Sequence, residues 1–172
     1  AGVAIAGIST ASVPFIFSFS PSADIEKSYT IDLSDMEPGT LRKLEFRNFP
    51  IWVLRRTEEM IEIQGEIPDY VVGEKYFWAM SEDEKLEDSP YRSNDPEYFV
   101  FRPEAGFRNC QVRLESKRPD KVASDHWASG FVDPCTGHAY DTAGRNYSYD
   151  FAWYLYVPEH KWKSKGVLHF GT

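Results

Sequence analysis

The sequence predicts a mainly β, antiparallel protein preceded by an apolar N-terminal helix. Three observations carry this. Phe, Tyr and Trp make up 16% of the 172 residues, a share that suits pleated, half-buried strands. Short segments of alternating polarity recur between turn signals. The stretch Ala1 to Phe19 contains no charged residue.

The elements are taken in chain order. As a helix, Ala1 to Phe19 spans about 28 Å, close to the ~30 Å hydrocarbon core of a bilayer. Its Gly, Ala and Ser content suits close helix packing in lipid, and Pro14 kinks it or ends it early. The competing reading is the tail of a cleaved signal peptide. We expect a transmembrane anchor over residues 1–20 and a hinge over 21–28, where Ser20-Pro21-Ser22-Ala23-Asp24 breaks the helix. The rest, residues 29–172, forms a head.

In the head, Tyr29 to Leu33 alternates and reads as a strand, and Glu37-Pro38-Gly39-Thr40 as a turn. Leu41 to Phe46 is a second strand. Asn48-Phe49-Pro50 turns the chain into a third, Ile51 to Arg55. Thr57-Glu58-Glu59-Met60 reads as a helix start, with Thr57 the cap and two acids in the first turn. Ser81 to Asp95 is an acidic, solvated excursion, and Glu97 to Phe101 a strand. Arg102 to Ser129 is expected to be mostly loop. Phe131-Val132, Tyr154 to Val157 and Gly166 to Phe170 close the sheet. A loop-rich domain with an irregular aromatic core is the alternative.

Composition narrows the function. A net charge of −8 and a pI near 5.0 exclude a nucleic-acid partner, which needs a basic stripe to neutralise phosphates. The two cysteines, Cys110 and Cys135, cannot supply the four thiolates of an ordinary ferredoxin cluster or an all-thiolate zinc site. They can form one disulfide closing a loop of roughly 25 residues, worth about 3 kcal/mol and implying an oxidising compartment. Alternatively, Cys110 and Cys135 with His126 and His138 make up the two-Cys, two-His inventory of a zinc site or a displaced cluster. Against that, Cys110-Gln111-Val112 holds no Cys-x-His, and ligation would consume the disulfide. Gly-x-Ser-x-Gly, His-Glu-x-x-His and phosphate-binding Gly-rich motifs are absent from the sequence. His160 and His169 are isolated, so no catalytic residue is assigned.

Seven stretches, in order, resemble the Rieske iron–sulfur subunit of bacterial cytochrome bc1 complexes. Val13 to Ile16 with Ser20 to Asp24 is similar to the end of that family's membrane helix and its hinge. Ile31 to Gly39 is similar to its first strand and turn. Arg47 to Thr57 is similar to its turn into a strand ending in Arg-Thr, with Asn48 for Gly. Arg92-Ser93 with Pro96-Glu97-Tyr98 resembles the approach to the first cluster loop. Tyr140 to Arg145 resembles the run after the second loop, and beside these seven Asp133 to Asp141 resembles the second loop itself. Leu155-x-Val157-Pro158 and Leu168-x-x-Gly171 resemble the closing strands.

The resemblance implies a Rieske-like antiparallel β-sandwich head, with residues of about 102–145 as the cluster-binding subdomain and two loops joined by a disulfide. A Rieske site needs two Cys on one iron and two His on the other. Carried onto this chain, the four ligand positions fall on Ala105, Phe107, Asp133 and Thr136. The disulfide positions fall on Cys110 and Cys135, both kept. The loop that covers the cluster falls on Tyr149, Asp150, Phe151 and Ala152, without the family's Gly-Pro-Ala-Pro. The resemblance thus implies that no 2Fe–2S cluster is held. It further implies a non-redox accessory subunit of a respiratory complex in a bacterial inner membrane, single-pass, with its head on the periplasmic side. The partners implied are cytochrome b-like and cytochrome c-like subunits, and the bilayer through the N-terminal helix. One alternative is a working iron–sulfur subunit of quinol–cytochrome c oxidoreductase with unusual ligands. Another is a soluble or lipoprotein-like binding module that reuses the fold.

Overall fold

The computed structural model describes residues 28–67, 86, 89–105, 110–122, 126–147 and 153–171. The expected anchor and all but the last residue of the hinge lie outside the described residues, as do Phe107 and the Tyr149 to Ala152 positions. Among the described residues no helix is long and apolar enough to cross a membrane.

The architecture is mainly β and antiparallel. Strand β1 (Ser28–Asp32) pairs with β11 (Val167–Gly171), from Ser28 opposite Gly171 to Asp32 opposite Val167. Strand β10 (Lys161–Ser164) takes the other side of β11. A second sheet has the order β2 (Leu41–Phe46), β3 (Phe49–Arg55), β4 (Tyr98–Phe101). The β2–β3 turn sits one position earlier than the sequence suggests. Arg47 and Asn48 both take positive φ, 52° and 64°, which fits a two-residue hairpin whose twist matches its strands. Pro50 therefore lies inside β3, opposite Glu45. It is tolerated because that pair does not exchange ladder bonds with β2, and pairing to β4 begins only at Trp52.

The two sheets pack face to face. Ile51, Val53, Tyr98 and Val100 meet Leu33, Met36, Leu168 and Phe170 in one cluster. The alternate residues Trp52, Leu54, Phe99 and Phe101 point the other way, onto Val112, Phe131, Tyr140 and Leu155. Burial on both faces is why β4 reads as an unbroken apolar run, Tyr-Phe-Val-Phe, buried at every position. The phenyl rings of Phe99 and Phe101 stack at 4.8 Å and Phe101 lies 4.6 Å from Phe131, within the favoured range for aromatic pairs.

The layer on that second face is built from short strands, of which the one at Phe131-Val132 was expected, whereas Arg102 to Ser129 reads in the sequence as mostly loop. β5 (Glu104–Ala105) pairs with β6 (Cys110–Gln111). β7 (Arg113–Glu115), β8 (Gly130–Val132) and β9 (Ala139–Tyr140) form a three-stranded sheet. Two or three residues are too few to show a periodicity, so β5, β6, β7 and β9 leave no signal in the sequence. The reverse correction applies at Tyr154 to Val157, which forms no strand. It is held by separate bonds from Leu155 N to the Gly144 carbonyl and from Arg102 N to the Tyr156 carbonyl, both 2.8 Å. Helix α1 (Glu58–Glu66) starts as expected: the Thr57 side chain accepts from Met60 N at 3.2 Å, satisfying one of the orphan donors of the first turn.

Candidate functional site

Two chain reversals of this outer layer meet at one place. The first is the β5–β6 pair, in which Ala105 lies directly opposite Cys110. Ala105 is buried and carries a methyl group, with no donor atom to offer a ligand. The second is the β8–β9 connection, Asp133 to His138. It is closed by Asp133 N donating to the His138 carbonyl at 2.9 Å and Gly137 N to the Asp133 carbonyl at 2.8 Å. Gly137 takes φ 74° there, a conformation that favours glycine.

A disulfide between Cys110 and Cys135 joins the two reversals, with a Cα–Cα distance of 6.3 Å, inside the range that disulfides require. The pairing implied by the resemblance is therefore present. Cys135 is exposed and Cys110 half-buried.

The Asp133 carboxylate organises the second loop from within, being only 1% exposed. Its Oδ1 accepts from Cys135 N at 2.8 Å and its Oδ2 from the Thr136 hydroxyl at 2.5 Å. That hydroxyl also lies 2.9 Å from His138 Nδ1. Its single proton is committed to Asp133, so the imidazole must be the donor to Thr136, with its proton on Nδ1. The structure thus gives Asp133 and Thr136 to each other. Cys110, Asp133 and Cys135 bring two sulfurs and a carboxylate oxygen within 4.8 Å of one another. Neither His126 nor His138 joins that group, so the zinc-like set of Cys110, His126, Cys135 and His138 does not assemble. Instead the cysteines bond to each other, and the His126 carbonyl accepts from the Tyr147 hydroxyl at 2.8 Å.

A buried polar network behind the loops has no counterpart in the sequence-based expectations. Arg56 is 1% exposed and, among the described residues, donates to backbone carbonyls and to no carboxylate. It reaches Tyr91 at 2.7 Å, Pro96 at 2.8 Å and Thr142 at 2.9 Å. Burial pushes its guanidinium down to about 9, opposed chiefly by Asp141. It is still charged at neutral pH. Arg92 donates to the carbonyls of Ala143 and Leu155 at 3.0 and 2.9 Å. Asp141 accepts from Gln64, from Arg145 Nε and from two backbone amides. Burial would lower the Arg145 guanidinium, and the Asp141 carboxylate more than offsets it, so Arg145 is held above its usual range. These contacts tie α1, the 90–98 segment and the 141–145 turn into one unit. The signal in the sequence was Arg55-Arg56 closing an apolar strand, where a second buried cation has no obvious place.

No family model matches the chain. It is 32% identical over 150 residues to the ubiquinol–cytochrome c reductase iron–sulfur subunit of Allochromatium vinosum, covering 83% of this chain and 70% of that protein. It is 26% identical over 159 residues to the mitochondrial cytochrome b–c1 complex subunit Rieske-3 of Nicotiana tabacum, covering 91% and 52%. With the mitochondrial subunit Rieske-1 of Arabidopsis thaliana the identity is 29% over 158 residues, covering 91% and 51%. The chain thus spans about half the length of these mitochondrial relatives. A solved chain described as a hyperthermophilic respiratory Complex III matches with a TM-score of 0.45 and 15% identity, covering 81% of this chain and 71% of that one.

Proposed function

This chain belongs to the Rieske iron–sulfur subunits of ubiquinol–cytochrome c reductase, and we propose that it serves a respiratory bc1-type complex as a structural subunit without the cluster. One observation carries the reading. At the positions that would hold the irons stand Ala105, Phe107, Asp133 and Thr136, whereas a two-Cys, two-His set is what the cluster requires. The geometry supports it: the Ala105 methyl, which has no donor atom, is buried in the β5–β6 pair, and Thr136 gives its hydroxyl proton to Asp133. The residues present do not fit the group, so no electron-transfer step passes through this site.

On this reading the subunit is anchored by residues 1–20, and its head packs against cytochrome b-like and cytochrome c-like partners. The disulfide and the arginine network keep the head in shape without metal, and an oxidising compartment, the periplasmic side, suits that disulfide. Iron and acid-labile sulfide are measured on the complex purified with this subunit in place, with electron paramagnetic resonance of the dithionite-reduced sample. The expected result is no Rieske-type signal and no iron assignable to this chain. Stoichiometric iron with that signal would show a working electron carrier instead.

A further inference from the structure

We propose that the Cys110–Cys135 disulfide masks a divalent-cation site, which opens when the bond is reduced and takes a thiophilic ion such as Zn²⁺ on Cys110, Cys135 and Asp133. Its basis is the three-donor geometry, which is the same whichever way the question of the cluster is decided.

Three features place the site. The donors come from two separate reversals yet already lie within 4.8 Å of one another, whereas two sulfurs on one tetrahedral zinc are roughly 3.8 Å apart, from a Zn–S bond near 2.3 Å. Breaking the S–S bond therefore needs a small separation of the sulfurs and no rebuilding of the loops. The carboxylate is oriented in advance, being buried and fixed by Cys135 N and the Thr136 hydroxyl, the kind of outer support that holds metal ligands in place. Access is built in as well: Cys135 is exposed, so a reductant can reach it and water can fill a fourth coordination position. Two thiolates beside a carboxylate make a trianionic set that repels itself. A dication relieves that repulsion and joins the two reversals again by coordinate bonds.

The chemistry balances. A dithiol reductant gives two electrons and two protons, leaving as its own disulfide while Cys110 and Cys135 become thiols. Binding M²⁺ then releases the two thiol protons, and the site carries a net charge of −1. A disulfide oxidant takes the two electrons back and leaves as its own two thiolates, which expels the ion and restores the S–S bond.

The test uses the full chain in metal-free buffer, reduced with a water-soluble phosphine, which takes one oxygen atom from water as the disulfide gains two hydrogens. Zn²⁺ binding is read by competition with a chromophoric chelator, and Cd²⁺ binding by the thiolate-to-metal charge-transfer band. The expected result is one ion per chain after reduction and none before, with Zn²⁺ raising the melting temperature of the reduced form only. Cys110→Ser should abolish binding, and Asp133→Asn should weaken it by about ten-fold. Circular dichroism of each variant separates lost binding from lost fold. Failure of the reduced, folded wild type to bind, or equal binding by the oxidised form, overturns the proposal. Full affinity in a folded Asp133→Asn overturns the carboxylate's part in it. Iron in the untreated protein would count against the cluster-free reading and not against this one.

Discussion

Tyr140 and Tyr147 show how strongly single positions feel the outer layer. Burial raises both phenols well above the usual value of 10.0, with the charge of Asp133 adding at Tyr140 and that of Asp141 at Tyr147. For a raised folded value, the stabilisation is fully present below the unfolded value and is lost as pH rises past it. In an alkaline titration followed by tyrosinate absorbance, these two side chains should stay silent while exposed tyrosines ionise, then titrate together with unfolding. Substituting either by Phe removes its share of that alkaline loss. Gly144 is a second such position. Its φ is 73°, and an added Cβ would lie 2.8 Å from Leu155 Cβ and 2.9 Å from Phe99 Cζ. Gly144→Ala should cost about 2–4 kcal/mol, combining left-handed strain with overpacking. Chemical denaturation checks it, with a shift in midpoint at unchanged slope.

At the scale of elements, the disulfide bears on stability because it joins two pairs of very short strands. Cys110 and Cys135 are 25 positions apart in the sequence, so Cys110→Ser with Cys135→Ser should lower stability by about 3 kcal/mol on the chain-entropy account. The double variant should still fold, since Phe131 and Val112 remain in the main core. The same shortness explains what could be read from the sequence. β2, β3 and β4 were legible because each alternates or runs apolar for four residues or more. β5, β6 and β9 were not, having two residues each. At the site, the pairing of Cys110 with Cys135 came from the resemblance, since composition alone left a zinc-like set open. The Arg56 network stayed hidden because its partners are backbone carbonyls, which no side-chain pattern announces.

At the scale of the molecule, one ionic cluster links the two facing sheets. Glu97, just before β4, accepts from Arg55 at 2.5 and 2.8 Å and lies 3.2 Å from Lys165 in the β10–β11 turn. Arg55 also donates to the Met36 carbonyl beyond β1. Burial would raise the Glu97 carboxyl, but its bonds to Arg55 and Lys165 prevail and hold it below its usual 4.5. A depressed carboxylate contributes stability above the unfolded value and loses it as pH falls through the folded one. Melting temperature should therefore drop on acidification below 4.5, and Glu97→Gln should flatten that part of the profile.

The pairing of β1 with β11 sets an order of events. Among the described residues β1 has one partner in its sheet, β11, so it stays unpaired until the chain has been made at least as far as Gly171. The strands of the β2-β3-β4 sheet are all in hand by Phe101, so β11 closes over β1 as a latch. A pull applied at Ser28 would act along β1 and meet five residue pairs before it reached the core. Deleting Val167 to Gly171 would accordingly release β1 first.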